Sequence, residues 1–205
     1  MPGVKRVDHV AYAVDKGMIE KWAWFHIEVE GGKLISRIDD AAPDNPDSSM
    51  KIWAIDYGSF GVALVEGIDR NKKSQVTAFV EKHGDHSVQH VAYDTGDLDE
   101  FVEHLNKFDI GLRGDIFTRQ DGFGTLKQLF AKGYAEDDPA TASFPEYVAR
   151  PKKNEDFSDA KITFSQKAGE TFYNQIEAAR DAGDHSSMID FNKIPSDWKV
   201  PEVSA

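Results

Sequence analysis

The chain has 205 residues, 40% apolar and 29% charged, a globular composition with room for one ordinary domain or two small ones. Its 24 basic residues are outnumbered by 36 acidic ones, and a net charge of −12 argues against a nucleic-acid partner. No run approaches 18 apolar residues, the N-terminus shows no apolar leader core and cysteine is absent, so a cytoplasmic protein is expected, with no membrane partner, no disulfides and no thiolate metal site.

In chain order, Val7–Val14 reads as a strand. Met18–Glu28 sets Ile19, Trp22 and Phe25 or His26 one turn apart, which predicts a helix that Gly31-Gly32 stops. Lys33–Ile38 reads as a second strand, and Asp39–Ser49, rich in Asp, Pro, Asn and Ser, as an exposed loop. Lys51–Asp56 and Gly61–Glu66 flank the Tyr57-Gly58-Ser59 turn as two more strands, which makes the first half βαβββ. Ser74 can cap a short helix over Gln75–Lys82.

Val88–Thr95 is again a strand, and Asp97 can cap Leu98–Lys107, where Leu98, Phe101, Val102 and Leu105 form one stripe. Gly111–Thr118, Thr125–Lys132 and Phe144–Arg150 complete a second βαβββ unit. Pro145 cannot donate to a ladder, which predicts an edge position for the last strand. The polar loop Gly133–Ser143 is expected to cover the open side of the sheet. Beyond Pro151 the chain turns polar; Gly169–Ala182 predicts a helix with Phe172, Ile176 and Ala179 on one face, and Ser186–Ala205 shows little periodicity. The expected architecture is α+β. One domain over 1–150, with modules at about 5–67 and 86–150, forms a half-open barrel, and 151–205 is an extension packed on it.

The tetrapeptide His-Val-Ala-Tyr occurs at His9–Tyr12 and at His90–Tyr93, 81 residues apart, each time with Val two residues before the His. A repeat of this kind sets the architecture before single residues are weighed. Strand alternation groups His9 with Ala11 and Ala13, His90 with Ala92, and Phe144 with Glu146 and Val148. The same offset makes Val65 or Glu66 the mate of Glu146. Two His and one carboxylate are the facial set of non-haem Fe(II), which leaves two positions for the carboxylate and keto oxygens of a 2-oxo acid and one for dioxygen. With Glu66 as a fourth ligand the set would be that of a glyoxalase-like isomerase or epimerase.

A lone His on a strand is usually a hydrogen-bonded structural residue; equivalence within the repeat is what lifts His9 and His90 above that. His83 and His86 read as loop residues at the surface, and His26, His104 and His185 lie in helical or tail context with no assigned role. Trp22 and Trp24 leave apolar surface on both sides of the first helix, compatible with a homodimer.

Four stretches carry a resemblance. They are VDHVAYAV at Val7–Val14, KKSQVTAFVEKHGDHSVQHVAYDTGDL at Lys72–Leu98, KQLFAKG at Lys127–Gly133 and FPEYVAR at Phe144–Arg150. Together they resemble the catalytic half of the 4-hydroxyphenylpyruvate dioxygenase family, within the wider vicinal-oxygen-chelate superfamily, over residues 5–150. The resemblance implies Fe(II) on His9, His90 and Glu146. It implies catalytic roles for Gln89 and Gln128, and substrate contacts from Gln75, Phe130, Phe144, Val65 and Met50. It also implies dioxygen and a 2-oxo acid as substrates, with decarboxylation coupled to oxidation of the substrate's own side chain.

The chain departs from the family pattern in two places. Ala63-Leu64-Val65-Glu66 stands where the family usually has Pro-x-Asn-Glu, and Met50 where it tends to have Ser. Both changes point to a less polar 2-oxo acid. The family closes its pocket with a C-terminal aromatic helix, for which Phe172-Tyr173 is the counterpart expected here. Two other readings stay open: extradiol ring cleavage, which needs a further His near the substrate, and a metal-free small-molecule carrier on the same fold.

Overall fold

The computed structural model describes residues 2–121, 124–150 and 166–186. Eight strands form one sheet: β1 (Arg6–Val14), β2 (Lys33–Ile38), β3 (Ser48–Asp56), β4 (Gly61–Asp69), β5 (Ser87–Asp94), β6 (Leu112–Asp121), β7 (Gly124–Ala131) and β8 (Phe144–Ala149). Their spatial order is β2-β3-β4-β1-β5-β8-β7-β6. Each half is βαβββ as expected, and the two are joined back to back where β1 pairs antiparallel with β5. On either side of that seam the pairing is parallel, β1 with β4 and β5 with β8.

The convex face carries one helix per module. Helix α1 (Ile19–Trp24) covers Val14, Trp53, Ile55, Val62 and Leu64, and α3 (Leu98–Asn106) covers Leu129, Ala131, Tyr147 and Ala149. On the concave face, α2 (Gln75–His83) and α4 (Gln166–Asp181) contribute Val76, Phe79, Phe172, Tyr173 and Ile176 to a core shared with Ala13, Met50, Val65, Phe130 and Phe144. Each fully buried side chain of this size gives about 1.5–3 kcal/mol, so both helices are held by the cup they fill. The anticipated caps are present: Ser74 Oγ accepts from Val76 N at 3.3 Å and Asp97 Oδ1 from Glu100 N at 3.0 Å.

Several local expectations are corrected. The first helix continues past Trp24 as a π-turn over Phe25–Val29, closed by the Glu30 N–H on the Phe25 carbonyl at 3.1 Å. The loop after β2 is not simply exposed, because Ala41 and Ala42 are buried. Strand β8 is interior, not an edge. It tolerates Pro145 because pairing with β7 ends at Phe130–Glu146, so no ladder bond is asked of the proline on that side. The loop Gly133–Ser143 does not close the cup; it is tied to the end of α2 by the Lys82–Asp137 ion pair and by His83 Nε2, 2.7 Å from the Thr141 carbonyl oxygen. That closing place belongs to α4, whose Gly169 lets the helix lie against Ile52 and Ala41. Trp24 is 60% exposed and Trp22 is half-buried. No described helix is long and apolar enough to cross a membrane.

If α4 is part of the core, Ile176→Ala should cost about 2–5 kcal/mol, read as a lowered urea midpoint with an unchanged slope.

Candidate metal centre

Adjacent strands β1 and β5 carry His9 and His90, and β8 beside β5 carries Glu146. The three side chains are 2%, 5% and 2% exposed. His9 Nε2 lies 3.3 Å and His90 Nε2 3.4 Å from the same oxygen, Glu146 Oε2. One donor atom from each residue falls within 4.8 Å of the others, the only such His/Asp/Glu group among the described residues. The donors are two imidazoles and a carboxylate on one concave face, and they fit a divalent transition ion of the non-haem iron type.

The other ring nitrogens are occupied from behind. His9 Nδ1 is 2.8 Å from Asp8 Oδ1, and Asp8 receives two further bonds from Arg150, at 2.6 Å from Nε and 2.8 Å from the second guanidinium nitrogen. His90 Nδ1 faces Gln89 Oε1 at 3.4 Å, and Gln89 Nε2 donates to Gln75 Oε1 at 3.0 Å. These contacts fix each ring so that Nε2 points into the cup.

A residue next to a pocket-facing His should point the opposite way on a regular strand. Two bulges in the β1–β5 ladder remove that conflict. The register passes from Val7↔Tyr93 to His9↔Ala92, skipping Asp8, and from Ala11↔His90 to Tyr12↔Val88, skipping Gln89. The extra residue in each strand is the one that supports its histidine.

Burial alone disfavours charge on all three side chains; for His9 and Glu146 the pairs outweigh it. Glu146 and Asp8 raise His9 to about 9, and His9 and His90 lower Glu146 to about 2. Asp8 is held far below the usual carboxylate range: burial opposes this, and the Arg150 guanidinium overcomes it. His90, with a neutral amide behind it, is pushed down by burial.

The cavity in front of these groups is lined by Met50, Ile52, Val65, Gln128, Phe130 and Phe172 among others. Of the sequence-derived pocket residues, Met50, Val65, Gln128 and Phe130 therefore face it. Phe144 stacks on His90, with ring centroids 5.0 Å apart. Gln75 and Gln89 do not line it; they stand behind His90. Gln128 Nε2 donates to Glu146 Oε1 at 2.7 Å, which leaves Oε2 to the histidines.

The mate of Glu146 is neither Val65 nor Glu66. In parallel register Ala92 faces Glu146 and its counterpart Ala11 faces Ala63, so the fourth position holds a methyl group. The constant offset fails because the strand connections of the two modules differ in length. Glu66 lies elsewhere: its carboxylate accepts from Gly17 N at 2.9 Å, Ile19 N at 3.1 Å and Lys51 Nζ at 2.5 Å, an N-terminal anchor for α1.

Asp8 and Arg150 had no assigned role in the sequence reading. The signal for Asp8 was present, since it precedes His9 as Gln89 precedes His90.

No protein-family description matches the chain. Among solved structures, a triple mutant of 4-hydroxymandelate synthase from Streptomyces coelicolor superposes with a TM-score of 0.69 at 18% identity, over 86% of this chain and 56% of that one. A hypothetical protein from Bacillus halodurans does so at 0.51 and 16% identity, over 74% of this chain and 98% of that one. Methylmalonyl-CoA epimerase from Mycobacterium tuberculosis gives 0.49 and 20% identity, over 71% and 88%. The fold is the vicinal-oxygen-chelate fold, and the chain spans 56% of the length of the synthase chain.

Two outcomes follow, the first for the metal-free protein. Because His9 is raised from 6.5 to about 9, its contribution to stability is complete below pH 6.5 and is lost as pH rises through 9; denaturant midpoints should fall across that interval. Asp8→Asn should weaken metal binding by about 10–100-fold while leaving the far-ultraviolet circular dichroism intact, as measured by chelator competition.

Proposed function

We propose that the protein is a non-haem Fe(II) dioxygenase that decarboxylates a 2-oxo acid and oxidises that substrate's own side chain. The observation that carries this reading is the convergence of His9 and His90 Nε2 on one oxygen of Glu146, with Ala63 in the fourth equivalent place. Fe(II) on these three ligands would supply the chelating positions and the oxygen chemistry.

The chain's own residues do the rest. Asp8 and Gln89 orient the two imidazoles. Gln128 holds one carboxylate oxygen of Glu146, and its own Oε1 has no partner among the described residues, which offers one acceptor to a bound substrate. Met50, Ile52, Val65, Phe130 and Phe172 exclude water and select an apolar side chain. The cavity volume is about 50 Å³, space for a few waters only, so Phe172 and the start of α4 give way when a 2-oxo acid enters.

An isomerase with two His and two Glu is disfavoured by Glu66, which is committed to α1 and Lys51. Extradiol cleavage is disfavoured because no further histidine among the described residues lines the cavity.

The test is oxygen uptake by anaerobically Fe(II)-loaded protein across a panel of 2-oxo acids that includes 4-hydroxyphenylpyruvate and branched aliphatic members. Uptake with matched CO₂ release is expected for an acid with a compact apolar side chain. Tight iron binding with no uptake for any member would sink the assignment. In the same preparation Glu146→Ala should fail to retain iron, whereas Glu66→Gln should retain it.

A further inference from the structure

On the convex face of the first module, away from the cup, α1 and its π-turn run without a break from Ile19 to Val29. The inner side of this segment is fixed. Ile19, Ala23 and His26 are buried. The His26 ring is hydrogen-bonded to His86, Nε2 to Nε2 at 2.9 Å, and through Nδ1 to Glu30 and Tyr57. Trp22 Nε1 donates to Asp85 Oδ2 at 2.9 Å. On the outer side Lys21, Trp24 and Glu28 are exposed and Phe25 is half-buried. These four positions follow the i, i+3, i+4, i+7 spacing of one helix face. A groove of about 590 Å³ runs along them, lined by Met18, Glu20, Lys21, Trp22, Trp24 and Phe25.

The stripe is apolar in the middle and oppositely charged at its ends. Lys21 and Glu28 stand about 10 Å apart along the axis, too far to pair with each other. Neither is in an ion pair among the described residues. We infer that this stripe is a homodimer interface, in which α1 and its π-turn pack antiparallel against the same segment of a second copy, across a twofold axis between Trp24 and Phe25. The stripe is its own complement under that operation, as a twofold contact requires.

Lys21 falls opposite the partner's Glu28, and Glu28 opposite the partner's Lys21, so each end of the stripe gains an ion pair and the register is set by charge. Trp24 packs against the partner's Phe25 and enters the groove beside it, a large aromatic anchor of the kind that dominates interface energetics. Trp22 is turned inward by its stack on His86, with centroids 3.8 Å apart, so Trp24 and not Trp22 is the anchor. The bonds on His26 hold the segment in one conformation before association, which lowers the ordering cost. A membrane surface fits this stripe less well, because Glu20, Glu28 and Glu30 border the aromatics and the chain carries a net charge of −12.

The test is sedimentation equilibrium over a dilution series of wild type, Lys21→Glu, Glu28→Lys and Trp24→Ser, all changed at exposed positions, with far-ultraviolet circular dichroism as the check on folding. The mass of wild type should rise with concentration from 22.9 kDa toward twice that value. Each charge variant should raise the dissociation constant about tenfold, since two ion pairs become two like-charge contacts. Trp24→Ser should stay monomeric. An equimolar mixture of Lys21→Glu and Glu28→Lys should dimerise as wild type does, because every mixed dimer again sets opposite charges together at both ends. A monomeric wild type would overturn the proposal and leave the stripe to a different protein or a lipid surface. A dimer that neither charge variant weakens, or a mixture that fails to recover, would overturn it as well. The measurement needs no metal and no substrate, so it stands or falls independently of the dioxygenase reading.

Discussion

The pairing of β1 with β5 at the module boundary is the constraint on which the remaining geometry depends. Antiparallel register across this seam sets Ala11 opposite His90 and Ala92 opposite His9, so the two histidines lie diagonally on the concave face. Parallel pairing of β5 with β8 then brings Glu146 level with Ala92. A slip of one residue in either ladder would turn a ligand to the convex face, because side chains alternate with period two. The burial of α1, α3 and α4 on their respective faces is what makes such a slip costly.

The same seam produces the support behind the ligands. Two bulges, one in each strand, turn Asp8 and Gln89 inward beside the histidines they precede. The symmetry of the bulges contrasts with the chemistry placed on them. Asp8, paired with Arg150, puts a carboxylate behind His9, while Gln89 and Gln75 put neutral amides behind His90. The first histidine is thereby the stronger donor and the more tightly oriented one. A duplicated backbone carries an asymmetric candidate metal site through two side-chain choices.

The cup is nearly all apolar beyond the ligands and Gln128, and α4 seals it. Phe172 lies 4.0 Å from the Phe130 ring centroid and 5.4 Å from that of His90, so the roof touches both the wall and a ligand. Tyr173 reaches Ser48 through its hydroxyl and fixes the helix to β3. The apolar lining keeps much water from the three side chains, which strengthens the electrostatic interactions among them. The roof of the cavity is thus a helix that also belongs to the core.

Much of this was legible in the residues. The two His-Val-Ala-Tyr copies disclosed the duplication, strand alternation put His9, His90 and Glu146 on faces that close on one another, and Ser74 and Asp97 marked their helices by capping chemistry that is local in sequence. Long-range register was not legible. A fixed offset made Val65 or Glu66 the partner of Glu146, whereas strand pairing chose Ala63, because connection lengths are free to differ between modules while hydrogen-bond ladders are not. The bulges that turn Asp8 inward, the interior place of β8 despite Pro145, and the meeting of His26 with His86 across 60 residues likewise depend on which strands neighbour which. Residue types and local spacing determined the elements and the candidate ligands; only tertiary packing decided what stands behind each of them, what closes the cup and which carboxylate is left outside it.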